Sequence, residues 1–259
     1  MDDLTGAERL AKRSRGVTLL ALAALTLLAW AWLLQGAGMH SAGVAMEGMA
    51  EPAIAWDATR FLLVASMWWV MMIGMMLPSA APVILLYGRV HRHRAQAGSE
   101  AAPTAEFLAG YLAVWLGFAL VAAALQSLLE QRGILSAMTM ALPGGWLVAG
   151  FLIAAGIYQL SPLKDSCLAN CRAPAAVLTH YHRPGHWGAW RMGLIHGAFC
   201  VGCCWLLMVL LFVGGVMNLA WIAALTLLVA AEKLLPAGNW IARISGAGLI
   251  LWGAAILLA

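Results

Sequence analysis

The stretch "RMGLIHGAFCVGCCWLLMVLLFV", residues 191–213, reads as one long apolar helix, yet it carries a histidine and three cysteines within nine residues. A hydrocarbon core of roughly 30 Å takes about 20 residues of helix, so uncharged apolar runs of about 18 or more are read as spans. The rest of the chain has the same character. Of 259 residues, 63% are hydrophobic and 10% charged, against roughly 45–50% and about 25% in soluble domains.

Seven apolar runs stand out, at 17–35, 61–87, 106–129, 145–162, 191–213, 218–235 and 240–258. Backbone groups in lipid must be satisfied within the segment or a closed barrel. The expectation is therefore an all-α, polytopic membrane helix bundle of about seven transmembrane helices with a cytoplasmic N-terminus, forming a single domain over 1–259. Gly144, Gly145, Gly150 and Gly156 weaken the 145–162 run.

Lys and Arg in short loops set the orientation. With the N-terminus inside, 13 of the 15 basic residues fall on the cytoplasmic side, and only Arg60 and Arg132 fall outside. Residues 1–16 form a basic cytoplasmic start, 36–60 a Met-containing outer loop and 163–190 a Cys/His-containing cytoplasmic loop. The basic balance thus reflects topology, and no nucleic-acid partner is implied. "RVHRHR", residues 89–94, reads as a positive-inside anchor. The first apolar run, at about 19 residues, exceeds the usual 7–15 of a signal core and is read as a retained helix.

At about 100° per residue, placing His196 at zero puts Cys200 near 40°, Cys203 near −20° and Cys204 near 80°. The four make one polar, sulfur-bearing stripe. A membrane cysteine is ordinarily a small hydrophobe, but intramembrane histidine is costly and normally faces a partner in the bundle. Gly193 and Gly197 form a small-xxx-small pair on the same helix, suited to close approach of another.

Thiolates and thioethers select Cu(I) and other soft ions, and imidazole suits copper and zinc. A tetrahedral zinc site requires ligands from all sides, which one helix does not supply. Met67, Met71 and Met75 recur every four residues on the second span, with Met72 and Met76 on a second ribbon. The outer loops add Met39, His40, Met46, Met49, Met138 and Met140. Methionines thus crowd the outer side, while Cys200, Cys203 and Cys204 lie mid-membrane and Cys167 and Cys171, in "CLANC", lie inside. This order suits a Cu(I) ion passed from thioether to thiolate. His180, His182 and His186 read as loop residues, and Glu232 with Lys233 as an ion pair closing span six.

"WWVMMIGMMLPSAAP", "GYLAVWLGF", "AGIYQLSPLKDSCLANCR" and "HGAFCVGCCWLLMVLLFVGGVMNLAWIAALTLLVAAEK" together resemble a bacterial inner-membrane family of predicted metal-binding integral membrane proteins, sometimes labelled copper chaperones. The resemblance implies a multi-pass inner-membrane protein binding metal, with copper the expected ion and zinc or another soft metal the alternatives. Its metal residues would fall on His196, Cys200, Cys203 and Cys204, then Cys167 and Cys171. The residues themselves add Met67, Met71 and Met75. The expected partners are the lipid bilayer, the metal ion and a periplasmic copper protein or cuproenzyme acceptor.

No phosphate-binding loop, nucleotide domain or catalytic constellation is present, so the chain is read as a non-enzymatic carrier of Cu(I), moving it across the membrane or delivering it for cuproenzyme assembly. Other readings stay open: a membrane thiol-disulfide or electron-transfer protein, uptake of another thiophilic ion such as mercury, or a structural subunit of a larger complex.

Overall fold

The computed structural model describes residues 6–35, 56–96, 104–135, 140–142, 144–181, 183 and 185–259, with side chains omitted for 6–14 and 91–96. Met39, His40, Met46, Met49, Met138 and His182 lie outside the described residues. Every regular element among the described residues is a helix: α1 (Gly6–Leu34), α2 (Ala58–Gln96), α3 (Thr104–Gln131), α4 (Trp146–Gln159), α5 (Pro162–Arg172), α6 (Pro174–His180), α7 (Gly185–Val209), α8 (Leu211–Gly214), α9 (Leu219–Leu234) and α10 (Gly238–Leu258).

Five segments are long and apolar enough to cross a membrane: Arg15–Leu34, Ala58–Val90, Thr104–Gln131, Gly185–Gly214 and Gly238–Leu258. A sixth crossing results if α4 and α5, which meet at 61°, are one broken span. The all-helical membrane class stands, while the exact count of seven is not confirmed. The reason is length. α9 has 16 residues and α4 has 14, which at 1.5 Å per residue reach about 24 and 21 Å, short of a hydrocarbon core of roughly 30 Å.

The long helix α2 contains Pro78 and Pro82. A proline inside a helix supplies no N–H to the carbonyl four residues back, so Pro78 leaves the Gly74 carbonyl without its helical donor. In lipid such a group needs another partner. The indole Nε1 of Trp30 on α1 donates to it at 3.2 Å.

The helices α3 and α7 approach so closely that side chains are excluded from the seam. A Cβ on Gly193 would collide with the Phe107 carbonyl, and one on Gly110 with the Trp190 carbonyl. At Gly197 it would press on Val114 at 3.0 Å. The Gly193/Gly197 pair expected to admit a helix therefore admits α3.

The segment expected as the cytoplasmic loop 163–190 is instead largely helical, forming α5, α6 and the start of α7. Ser161 caps α5 by accepting from the Lys164 amide at 3.2 Å, Pro162 occupies its first turn and Asp165 its N-terminal charge position, a combination that favours helix initiation. Lys164, Leu168 and Cys171, spaced for one helical face, are all buried. The Lys164 ammonium pairs with Glu232 of α9 at 2.5 Å and donates to Gln159 at the end of α4. Gln159 in turn donates to Glu232 at 2.7 Å and to Ser245 of α10 at 2.8 Å. At the other end of α5, Arg172 donates to the Leu235 and Pro236 carbonyls at 2.8 and 2.7 Å. Glu232 therefore does not pair with its neighbour Lys233, as the sequence suggested, because Lys164 takes it.

Removing one member of a buried ion pair costs about 3–5 kcal/mol, whereas replacing both by apolar groups is often neutral. Glu232→Leu is accordingly expected to lower the thermal midpoint of the detergent-solubilised protein sharply, and Lys164→Met with Glu232→Leu to recover most of it. A double variant no more stable than the single one would show that the pair does not hold α5 in place.

Candidate metal centre

The eight sulfur-bearing candidate ligands, five cysteines with Met67, Met71 and Met75, lie on α2, α5 and α7, and the fold brings a subset of the chain's sulfurs together. On α7 the predicted stripe forms: His196, Cys200, Cys203 and Cys204 are all buried on the inner face of the helix. The Cys203 and Cys204 thiols point back along the helix, donating to the Cys200 carbonyl at 3.1 and 3.0 Å.

The bend between α4 and α5 carries Cys171 to this stripe. Its Sγ lies 3.9 Å from the Sγ of Cys203. The other cysteine of "CLANC", Cys167, is half-buried and sits against Gly202, where an added Cβ would lie 2.8 Å from its sulfur. The two cysteines one turn apart on α5 thus serve different neighbours, and Cys171 forms its close pair across helices.

From α2 it is Met76 that arrives. Its Sδ is 3.9 Å from the Cys204 Sγ. Met67, Met71 and Met75 are buried in the core of the bundle, with Met72 alongside them, and Met76 lies at the inner end of this run. Met67 and Met76 are nine residues apart, about 13 Å along the axis at 1.5 Å per residue. Met140 is buried near the same bundle end as Phe212, with φ of 49° and its carbonyl accepting from the Val216 amide at 3.3 Å. A positive φ is uncommon for a residue with a side chain.

Cys200 makes polar contacts of its own. The Tyr111 hydroxyl of α3 is 3.1 Å from its sulfur, and the Lys233 ammonium of α9 is 3.0 Å away. Lys233 also lies 3.8 Å from the Met76 Sδ. Neither Tyr111 nor Lys233 was foreseen at the site. Their signal was present in the sequence as ionisable groups inside apolar runs, which are functional by default in a membrane protein.

His196 lies one turn before Cys200, its ring stacked on Tyr111 at 5.8 Å between centroids and 6.0 Å from Phe107. Its Nδ1 is buried and has no hydrogen-bond partner among the described residues. An orphaned imidazole nitrogen is costly unless something else uses it. Two other described histidines are engaged elsewhere. His186 pairs with Glu106, and His180 packs edge-on against Tyr181 at 4.7 Å.

Among the described residues, no three side chains of His, Cys, Asp or Glu are already arranged around one point. The arrangement is one of pairs. Two sulfurs each about 2.3 Å from a shared ion stand 3.9 Å apart when the angle at the ion is about 115°, and both the Cys171/Cys203 and Cys204/Met76 separations have this value. All five cysteines are free. The donors are soft, the setting is dry, and a low-coordinate thiophilic ion fits them.

The family described as PpoB2 copper chaperone matches residues 65–256, most of the chain. The chain belongs to this copper chaperone family. The matched region takes in α2 from its first turns through nearly all of α10 and thus holds every sulfur described above, while α1 precedes it. No curated protein and no solved structure matches the chain. Copper chaperone membership and five apolar membrane-length helices together fit a membrane copper-handling protein.

The proximity of Cys171 and Cys203 is open to a direct check. In a chain retaining only these two cysteines, mild oxidation in the membrane is expected to join α5 to α7, so that the two halves of a protein cleaved between residues 172 and 185 stay linked until reduced. Fragments that separate without reduction would place the two thiols apart.

Proposed function

We propose that this copper chaperone relative binds Cu(I) as cargo at the junction of α2, α5, α7 and α9, and that it passes the ion along the membrane interior to an acceptor used in cuproenzyme assembly. The observation that carries the reading is the convergence of soft donors from three separate helices: Met76, Cys171, Cys203 and Cys204 form two sulfur pairs, each 3.9 Å apart. His196 supplies a buried nitrogen with no hydrogen-bond partner on the same helix face. Soft sulfur ligands favour Cu(I) over harder divalent ions, and burial in an apolar bundle favours a low-charge complex over a high-charge one.

Met67, Met71 and Met75 extend from this point toward the far end of α2. With the N-terminus cytoplasmic and most Lys and Arg on the inner side, that end faces outward, and the thioethers make a soft ladder leading to the thiols. An ion exchanging between neighbouring sites of similar strength moves without ever being bare in the apolar interior. Cys167, beside Gly202, stands at the other edge of the cluster as a further thiol on the inward route. Seven crossings, counting the short α9 and the broken α4–α5 pair, keep the basic loops on one side. Delivery needs no nucleotide, and no enzyme chemistry is assigned to the chain.

The Cys171/Cys203 pair also favours a second reading, in which these two thiols cycle with a disulfide in electron transfer.

Metal content separates the two. Purified under reducing conditions with Cu(I), the parent is expected to retain copper, and the Cys171→Ser and Cys203→Ser variants to lose at least half of it. The triple change of Cys200, Cys203 and Cys204 to serine is expected to lose nearly all. Equal copper in parent and triple variant would overturn the assignment. Absence of copper from both, with a reversible two-electron midpoint in the parent, would favour the disulfide reading.

A further inference from the structure

The geometry points to Lys233 as the residue that selects the charge of the bound ion, favouring a monovalent soft cation over a divalent one. The inference rests on the copper-binding reading above and adds a residue that reading does not use.

Lys233 is a buried cation at the end of α9, and it faces sulfur. Its Nζ is 3.0 Å from the Cys200 Sγ and 3.8 Å from the Met76 Sδ. Among the described residues no carboxylate pairs with it, and the nearest acid in sequence, Glu232, is held by Lys164 at 2.5 Å and by Gln159 at 2.7 Å. The ion pair next door is complete without Lys233. A charge in a dry bundle is unfavourable unless an opposite charge answers it, and the thiols of the cluster are the groups placed to do so.

Charge counting then discriminates between ions. A monovalent ion entering between two thiols releases two protons and leaves a complex of charge −1, which with the Lys233 ammonium sums to zero. A divalent ion bound by the same two thiols is neutral by itself, and with Lys233 beside it the site carries +1. Like charges a few ångströms apart in a low-dielectric medium repel, and buried charges are screened much less by salt than exposed ones. Lys233 therefore stabilises the monovalent complex and opposes the divalent one.

The test uses two redox-inert soft probes, Ag(I) and Cd(II), on the full-length purified protein by competitive equilibrium dialysis. Lys233→Met is expected to lower the ratio of Ag(I) to Cd(II) affinity at least tenfold relative to the parent, and Lys233→Arg, which keeps the charge, to hold it within about threefold. Lys233→Gln serves as the neutral variant if Lys233→Met does not yield folded protein. A ratio unchanged by both neutral substitutions, in variants that still bind Ag(I), would overturn the role of Lys233 and leave the metal site intact. A parent that binds neither probe would instead overturn the metal site itself, and this inference with it.

Discussion

A charge buried in an apolar bundle has to be met by an opposite one, and the pair between Lys164 and Glu232 is where this constraint shapes the molecule. Lys164 enters the chain just after a capped helix start, on a segment polar enough to lie in water. Its ammonium finds Glu232 only if α5 folds back onto the bundle. Once it does, Leu168 and Cys171 on the same face are drawn inward as well, and the thiol of Cys171 comes to Cys203. Arg172 fixes the far end of α5 to the turn between α9 and α10. The sulfur cluster is therefore assembled by electrostatics some two turns away from it, on a helix whose own thiol contributes little to its placement.

Close packing does the complementary work on the other side. Without a hydrophobic drive between helices in lipid, association rests on van der Waals contact and hydrogen bonds. Glycines at 110, 193 and 197 let the backbones of α3 and α7 touch, which places Tyr111 against both Cys200 and His196. The rings of Phe107 and Tyr111 then wall the histidine from lipid. One helix carries most of the donors, and its neighbours supply the rest and determine which of them meet.

Much of this was legible in the sequence, for identifiable reasons. The His196, Cys200, Cys203 and Cys204 stripe depends on helical periodicity alone, so a single segment contains all the information. The small-residue pair at 193 and 197 is equally local. Met76 was visible only as part of a second ribbon, because periodicity does not say which face of α2 meets α7. The helical state of 162–172 had a usable signal in Ser161, Pro162 and Asp165, but its cysteines and charge made it read as a cytoplasmic loop. What no local pattern contains is the meeting of Cys171 with Cys203, or the choice of Lys164 over Lys233 by Glu232. Those follow from tertiary placement across some 30 and 70 residues of chain. The span count of seven is not confirmed for a related reason: α4 is apolar and α9 mostly so, yet both are short, a distinction that composition blurs.

The hydrogen bond from Trp30 to the Gly74 carbonyl gives α1 a mechanical part to play. Pro78 interrupts the hydrogen-bond ladder of α2 two residues beyond Met76, and the indole of α1 supplies the missing donor. α1 lies before the region that defines the family, so that donor comes from an element separate from the sulfur-bearing scaffold. An aromatic residue outside the matched region thus satisfies a backbone group that proline frees within the sulfur-bearing helix.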